Sequence, residues 1–168
     1  GSVGNGDGQF NAPVGVAIYP ANHSIVFDHH GNHRVQRFSS SGAFLGKFGS
    51  LGSGNGQFNA PDGIAIDPST GYIIVADTGN NRVQIFDSDG AYLTQFGSQG
   101  NADGQLNLPS GVAVDPTSHN IIVADTGNNR VQVFNSAGTF ISKFGSTGAG
   151  NGQLNVPYGV AIDPLNSN

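Results

Sequence analysis

Short apolar runs, each of four to six residues, alternate along the chain with clusters of Gly, Pro, Asn, Asp and Ser. Between residues 57 and 104 the runs are GIAID (63–67), YIIVAD (72–77), RVQIF (82–86) and AYLTQF (91–96). They are too short for helices and are bounded by PSTG, TGNN and DSDG, so they predict four strands joined by tight turns. Their patterns differ. IIVA is apolar at consecutive positions, as a strand covered on both faces requires, whereas RVQIF places Val83 and Ile85 on one face and Arg82 and Gln84 on the other. AYLTQF mixes polar and apolar residues on both faces. That gradient predicts a sheet with an enclosed middle strand and a last strand that meets solvent.

The plan repeats. Pro13, Pro61, Pro109 and Pro157 stand 48 residues apart, each after GQFNA, GQLNL or GQLNV and each before an apolar run. The units span about 9–56, 57–104 and 105–152, and a fourth begins at 153–168, where YGVAID (158–163) reads as one further first strand. A period of this length marks solenoids and propellers, and solenoid coils are shorter and lack four meander strands per unit. The expected fold is therefore all-β, a propeller of four-stranded antiparallel blades, incomplete in one chain at about three blades plus one strand. Rings close with four to eight blades. Closure here asks for further blades or a homo-oligomer, and the chain reads as a truncated or excised fragment of a longer propeller. Uncovered blade faces predict association in either case.

Composition narrows the chemistry. The 27 glycines and 8 prolines are spread along the 168 residues, as many tight turns require. All 11 acidic residues are Asp, against 6 Lys plus Arg, and the net charge of -5 opposes nucleic acid and anionic membranes and favours basic partners. With no Cys and no Glu, thiol chemistry, cysteine-ligated zinc and a paired-Glu hydrolase site are excluded. No apolar stretch is long enough to insert in a membrane as a helix. NHS at Asn22 to Ser24 matches a glycosylation sequon, a possible glycosylation site at Asn22 if the protein is secreted.

The combination NxPxGIAID, IIVADTGNNRVQIF, then an aromatic residue and FG resembles the NHL repeat, and the resemblance recurs three times over essentially the whole chain. It implies a β-propeller, most often of six blades, that serves chiefly as a binding platform. Related propellers include a metal-dependent amidating lyase whose histidines come from different blades; that pattern is not matched here.

Repeated polar residues point to scaffold. In DTGNNR, Asp77, Asn80 and Arg82 suit hydrogen bonds within a tight turn, as do Asp125, Asn128 and Arg130, with Arg34 as the first unit's counterpart. That leaves Arg37, Lys47 and Lys143 as uncommitted cations, too few for an RNA-binding face. Asp62, Asp87, Asp89 and Asp103 are the carboxylates without a turn explanation. The glycine-rich loops GNGDGQF and GSGNGQF lead into a strand rather than a helix N-terminus and carry no Lys-Ser/Thr, so they are loops between blades and not phosphate cradles.

The first unit departs from the others. Where the second reads DTGNNR it reads DHHGNHR, and two alignments are open: His29 replaces the turn Asp, or Asp28 keeps that role and the turn gains a residue. Asp28, His29, His30 and His33 offer donors for a divalent metal, but consecutive strand residues point to opposite sides and ligation needs convergent donors. Three readings stay open for the cluster: a metal site, a pH-sensitive or ligand-contacting turn, and drift in a surface loop. The expected function is a non-enzymatic platform binding a protein or small ligand through blade-connecting loops, with no cofactor. The alternatives are part of a metal-dependent propeller lyase or hydrolase and an extracellular structural or adhesive repeat protein. The compartment is not legible beyond a lean to the extracellular side.

Overall fold

The computed structural model describes residues 2–163. Its strands are β1 (Pro13–Ile18), β2 (Ile25–His29), β3 (Arg34–Phe38) and β4 (Phe44–Phe48) in the first blade. The second blade holds β5 (Gly63–Ile66), β6 (Ile73–Asp77), β7 (Arg82–Phe86) and β8 (Tyr92–Phe96), and the third β9 (Pro109–Val114), β10 (Ile121–Asp125), β11 (Arg130–Phe134) and β12 (Phe140–Phe144). Each blade is an antiparallel sheet in sequence order. The fold is three blades of a β-propeller, without a closed ring.

The second and third strands of a blade are joined by a 3₁₀ turn that ends in a left-handed residue, His33, Asn81 or Asn129. Asn tolerates that conformation at low cost; His33 holds it in the first blade at φ 51°. Loops between blades are closed by isolated parallel bridges, Leu51 to Phe58 and Gln99 to Leu106 among them.

Two apolar layers hold the blades together. Tyr19, Val26 and Val35 of the first blade pack on Ile64, Ile73, Val75 and Phe86 of the second. The opposite face of the second, with Ile74, Ala76, Val83 and Ile85, packs on Val112, Ile121, Val123 and Phe134 of the third. Phe48 lies 4.7 Å from Phe86 and Phe96 lies 4.5 Å from Phe134, so the same aromatic contact recurs at each joint. Inner strands approach closely: a methyl added at Gly63 would overlap the Ser110 carbonyl oxygen. Among the described residues both end faces are uncovered. Val16 and Ile18 are exposed on the first blade and Phe144 on the third.

RVQIF keeps the alternation read from the sequence and is buried at all five positions, because the side carrying Arg82 and Gln84 is covered by the loop that leads into the blade. One expectation needs correction. Residues 158–163 form no ladder among the described residues. The segment nevertheless runs along β9, where a methyl on Gly111 would meet the Tyr158 carbonyl oxygen.

Candidate functional site

Asp77, wholly buried, sits at the centre of a hydrogen-bond cluster. Its carboxylate accepts from the Asn59 backbone N–H at 2.7 Å, Asn80 Nδ2 at 2.9 Å, Arg82 Nε at 2.7 Å and Gln84 Nε2 at 3.0 Å. Arg82 spends its remaining donors on the carbonyls of Ser53, Gly54 and Gln57 and on Gln95 Oε1. One ion pair thus ties the turn, two strands and the inter-blade loop into a unit. Asp125, Asn128 and Arg130 repeat it, with Arg130 Nε 2.6 Å from Asp125.

In the first blade His29 pairs with Arg34 in the ladder, as Asp77 pairs with Arg82. The ungapped alignment is therefore the structural one, and Asp28 holds the position of Ala76. His29 stacks on Phe10 at 5.1 Å, and its Nε2 lies 3.0 Å from Gln36 Nε2. Gln36 is oriented by the Gly8 N–H on its oxygen and the Gln9 carbonyl on its nitrogen, so it donates to the imidazole and the ring proton is assigned to Nδ1. Burial, with the Arg34 charge adding, pushes the His29 pKa down to about 4. Arg34 still donates to the Asn5 and Gly6 carbonyls, but its Nε has no partner.

The other two histidines go elsewhere. His33 Nδ1 accepts the Ala60 N–H at 2.9 Å, the latch that Asn81 makes to Leu108 and Asn129 to Val156. His30 is exposed, with Nδ1 3.6 Å from Asp62. Among the described residues no group of three or more His or Asp side chains is placed to hold a metal ion. Asn22 is exposed in the β1–β2 turn, its side-chain oxygen accepting from Ser24 N and Oγ.

The cations left uncommitted by sequence are each paired: Lys47 with Asp7, Lys143 with Asp103, and Arg37 with Asp89 and the Ser88 carbonyl. Asp87 caps its own turn through the Asp89 and Ala91 N–H groups. Of the four unexplained carboxylates, Asp62 alone stays without a scaffold role.

Asp62, buried, immediately precedes β5, the inner strand of the second blade. Val14, Ser110 and Tyr158 are its counterparts, so one structural position carries four different side chains around a constant frame. Ser110 Oγ lies 2.7 Å from the Tyr158 carbonyl and in contact with Thr126 Oγ1, which lies 2.7 Å from the Pro157 carbonyl, so two hydroxyl protons are shared over three contacts. The Tyr158 phenol faces Asp62, and that hydrogen bonding and negative charge raise its pKa. Asp28 lies beneath, its Oδ1 accepting from Gly15 N at 2.8 Å and Val14 N at 3.3 Å, while Oδ2 is buried without a partner. Burial pushes its pKa up to about 6, the two backbone donors working against that and the Asp62 charge adding to it. Spacing between sequence repeats could have flagged the position, since 14, 62, 110 and 158 are the same site. Their convergence needed the fold.

Residues 58–86 and 106–134, the hearts of the second and third blades, match the NHL repeat family. The second and third blades carry NHL repeats. No curated protein matches its sequence. Among solved structures it is similar to Kuenenia stuttgartiensis hydrazine synthase, with a TM-score of 0.71 at 16% identity over 98% of this chain and 42% of that one. It is also similar to a chain of a nidogen/laminin complex, with a TM-score of 0.69 at 18% identity over 94% of this chain and 55% of the other. At these identities the likeness is one of fold. The chain spans about half the length of the structures it matches, and no helix among its described residues is long and apolar enough to cross a membrane.

Proposed function

We propose that this chain is a non-enzymatic binding platform that presents the loops at the starts of its inner strands to a protein or small ligand. The observation that carries this reading is the position shared by Val14, Asp62, Ser110 and Tyr158. Residues that recur in every blade are consumed by the scaffold, whereas these four differ while their surroundings stay constant. Blade-connecting loops on a rigid frame are where binding residues concentrate. The net charge of -5 favours a partner with basic groups; at this face Val14 and Tyr158 are exposed, whereas Asp62 and Ser110 are buried. Likeness to a chain of the nidogen/laminin complex is consistent with protein binding.

One observation favours the enzyme reading: Asp28, with its raised pKa, stands near His30 and Asp62, and perturbed carboxyls collect at acid–base sites. Its Oδ2 is sealed from solvent, however, so a substrate has no route to it. Fold likeness to hydrazine synthase does not carry chemistry across.

A peptide array probed with the wild-type chain and with the Asp62→Ala and Tyr158→Ala variants tests the platform reading. Both variants change side chains outside the repeated ion pairs and should fold. The expected result is a set of basic peptides bound by the wild type and lost in the variants; an identical pattern from all three proteins would contradict it.

A further inference from the structure

In each blade the turns between the first and second strands and between the third and fourth lie at the opposite end of the strands from Asp62 and its counterparts. Between the second and third blades they border a cavity of about 200 Å³, walled by Ile74, Ile85, Val114 and Ile121, with Asp67 and His119 on one side. Because the chain repeats every 48 residues, the corresponding groove between the first two blades can be compared position by position. There it is filled.

Tyr19 stands in that groove at the place of Asp67, Arg37 at the place of Ile85 and Gly71 at the place of His119. The Tyr19 ring is packed in the core between the blades, and its phenol donates to the Ser88 carbonyl at 3.3 Å. The Arg37 guanidinium donates to the same oxygen. Gly71 leaves room for the ring, whose edge would lie 3.7 Å from an added methyl. In the second groove, Ser136 is the counterpart of Ser88 and also lines the cavity. Its carbonyl accepts no hydrogen bond among the described residues.

We propose that the groove between the second and third blades binds a small aromatic ammonium ion bearing a phenol, which occupies the place that the Tyr19 side chain fills next door. The four aliphatic walls cover the ring, and the cavity suits one ring rather than a drug-sized molecule. The phenol donates to the vacant Ser136 carbonyl. The arm carrying the ammonium leaves the ring where the Tyr19 backbone would be, which is where Asp67 stands. Asp67 accepts from Ser69 N at 2.9 Å, Ser69 Oγ at 3.0 Å and lies 3.2 Å from His119 Nδ1. Those partners fix its carboxylate at the mouth of the cavity, facing the arm.

Tyramine is the probe, titrated against the purified chain by isothermal calorimetry and by NMR. It should bind at one site, and p-cresol and phenethylamine, each lacking one polar end, should bind about tenfold more weakly. A variant combining Asp67→Tyr, Ile85→Arg and His119→Gly rebuilds the filled groove that the first two blades already accommodate, and it should abolish binding. Should that variant not fold, Asp67→Asn keeps the shape and removes the charge; it should weaken tyramine and leave p-cresol unchanged. Absence of tyramine binding at millimolar concentration, or equal binding by wild type and these variants, would overturn the proposal. The site lies at the other end of the blade strands from Asp62, so either outcome leaves the platform reading to its own test.

Discussion

His29 and Arg34 stand directly opposite each other across β2 and β3, and no hydrogen bond joins their side chains. In the next two blades the same ladder position holds an ion pair, Asp77 with Arg82 and Asp125 with Arg130. The first blade therefore keeps the arginine and the loop it clamps but has lost the anion that orients it. His29 compensates by stacking on Phe10 and accepting from Gln36.

Restoring the acid should strengthen this blade. His29→Asp gives Arg34 Nε a partner and the Asn11 N–H an acceptor, as Asp77 gives Asn59. A gain of about 1 to 3 kcal/mol is expected in urea denaturation at neutral pH, the range for hydrogen bonds to charged groups. No gain would mean that the stacked imidazole is worth as much as the ion pair.

The paired arginines should matter more than the unpaired one. Arg82→Ala strands a buried carboxylate and should cost about 3 to 5 kcal/mol. Arg34→Ala removes only carbonyl contacts and leaves no buried charge, so its cost should be smaller. Comparing the two denaturation midpoints decides the matter.

Asp28 and His29, neighbours in sequence, pull stability in opposite directions as pH changes. His29 titrates near 6.5 when unfolded and at about 4 when folded, so unfolding takes up a proton in that window and stability rises with pH across it. Asp28 titrates near 3.8 when unfolded and at about 6 when folded, so unfolding releases a proton and stability falls as pH rises between those values. Each effect is on the order of 3 kcal/mol, and they largely offset. Measured at pH 4.5 and 6.5 and relative to wild type, Asp28→Ala should make stability climb more steeply with pH, and His29→Gln should do the reverse. The same slope in all three proteins would remove both assignments.

The uncovered end faces predict self-association. Phe144 at one end repeats Phe48 and Phe96, which pack on Phe86 and Phe134; at the other end the first blade exposes Val16 and Ile18, while Phe38, the counterpart of Phe86, is buried beneath Phe10, Phe27 and Phe44. A contact between these two ends is head-to-tail, so copies either close a ring or extend into a chain. Light scattering should show mass rising with concentration, and Phe144→Asp should suppress the rise.

Periodicity made the blades, their strand order and the turn residues legible, because each strand's apolar run is bounded by turn chemistry in every unit. The alignment of the first unit was not legible: a residue lost before Asp28 and one gained after it would cancel, and only the His29 to Arg34 pairing rules that alternative out. Burial of Arg82 and Gln84 was also hidden, since it depends on a loop some 25 residues earlier folding back over β7. Asp62, Ser110 and Tyr158 each look unremarkable in sequence and meet only when successive inner strands are placed side by side. The rim cavity depends in the same way on which side chains face each other between blades.

The most direct measurement of the platform reading is native mass spectrometry of the purified chain with and without chelator. The account predicts protein mass alone, as monomer or assemblies of whole chains, unchanged by chelation. A stoichiometric divalent ion removed by the chelator would contradict it and return the enzyme reading to the front.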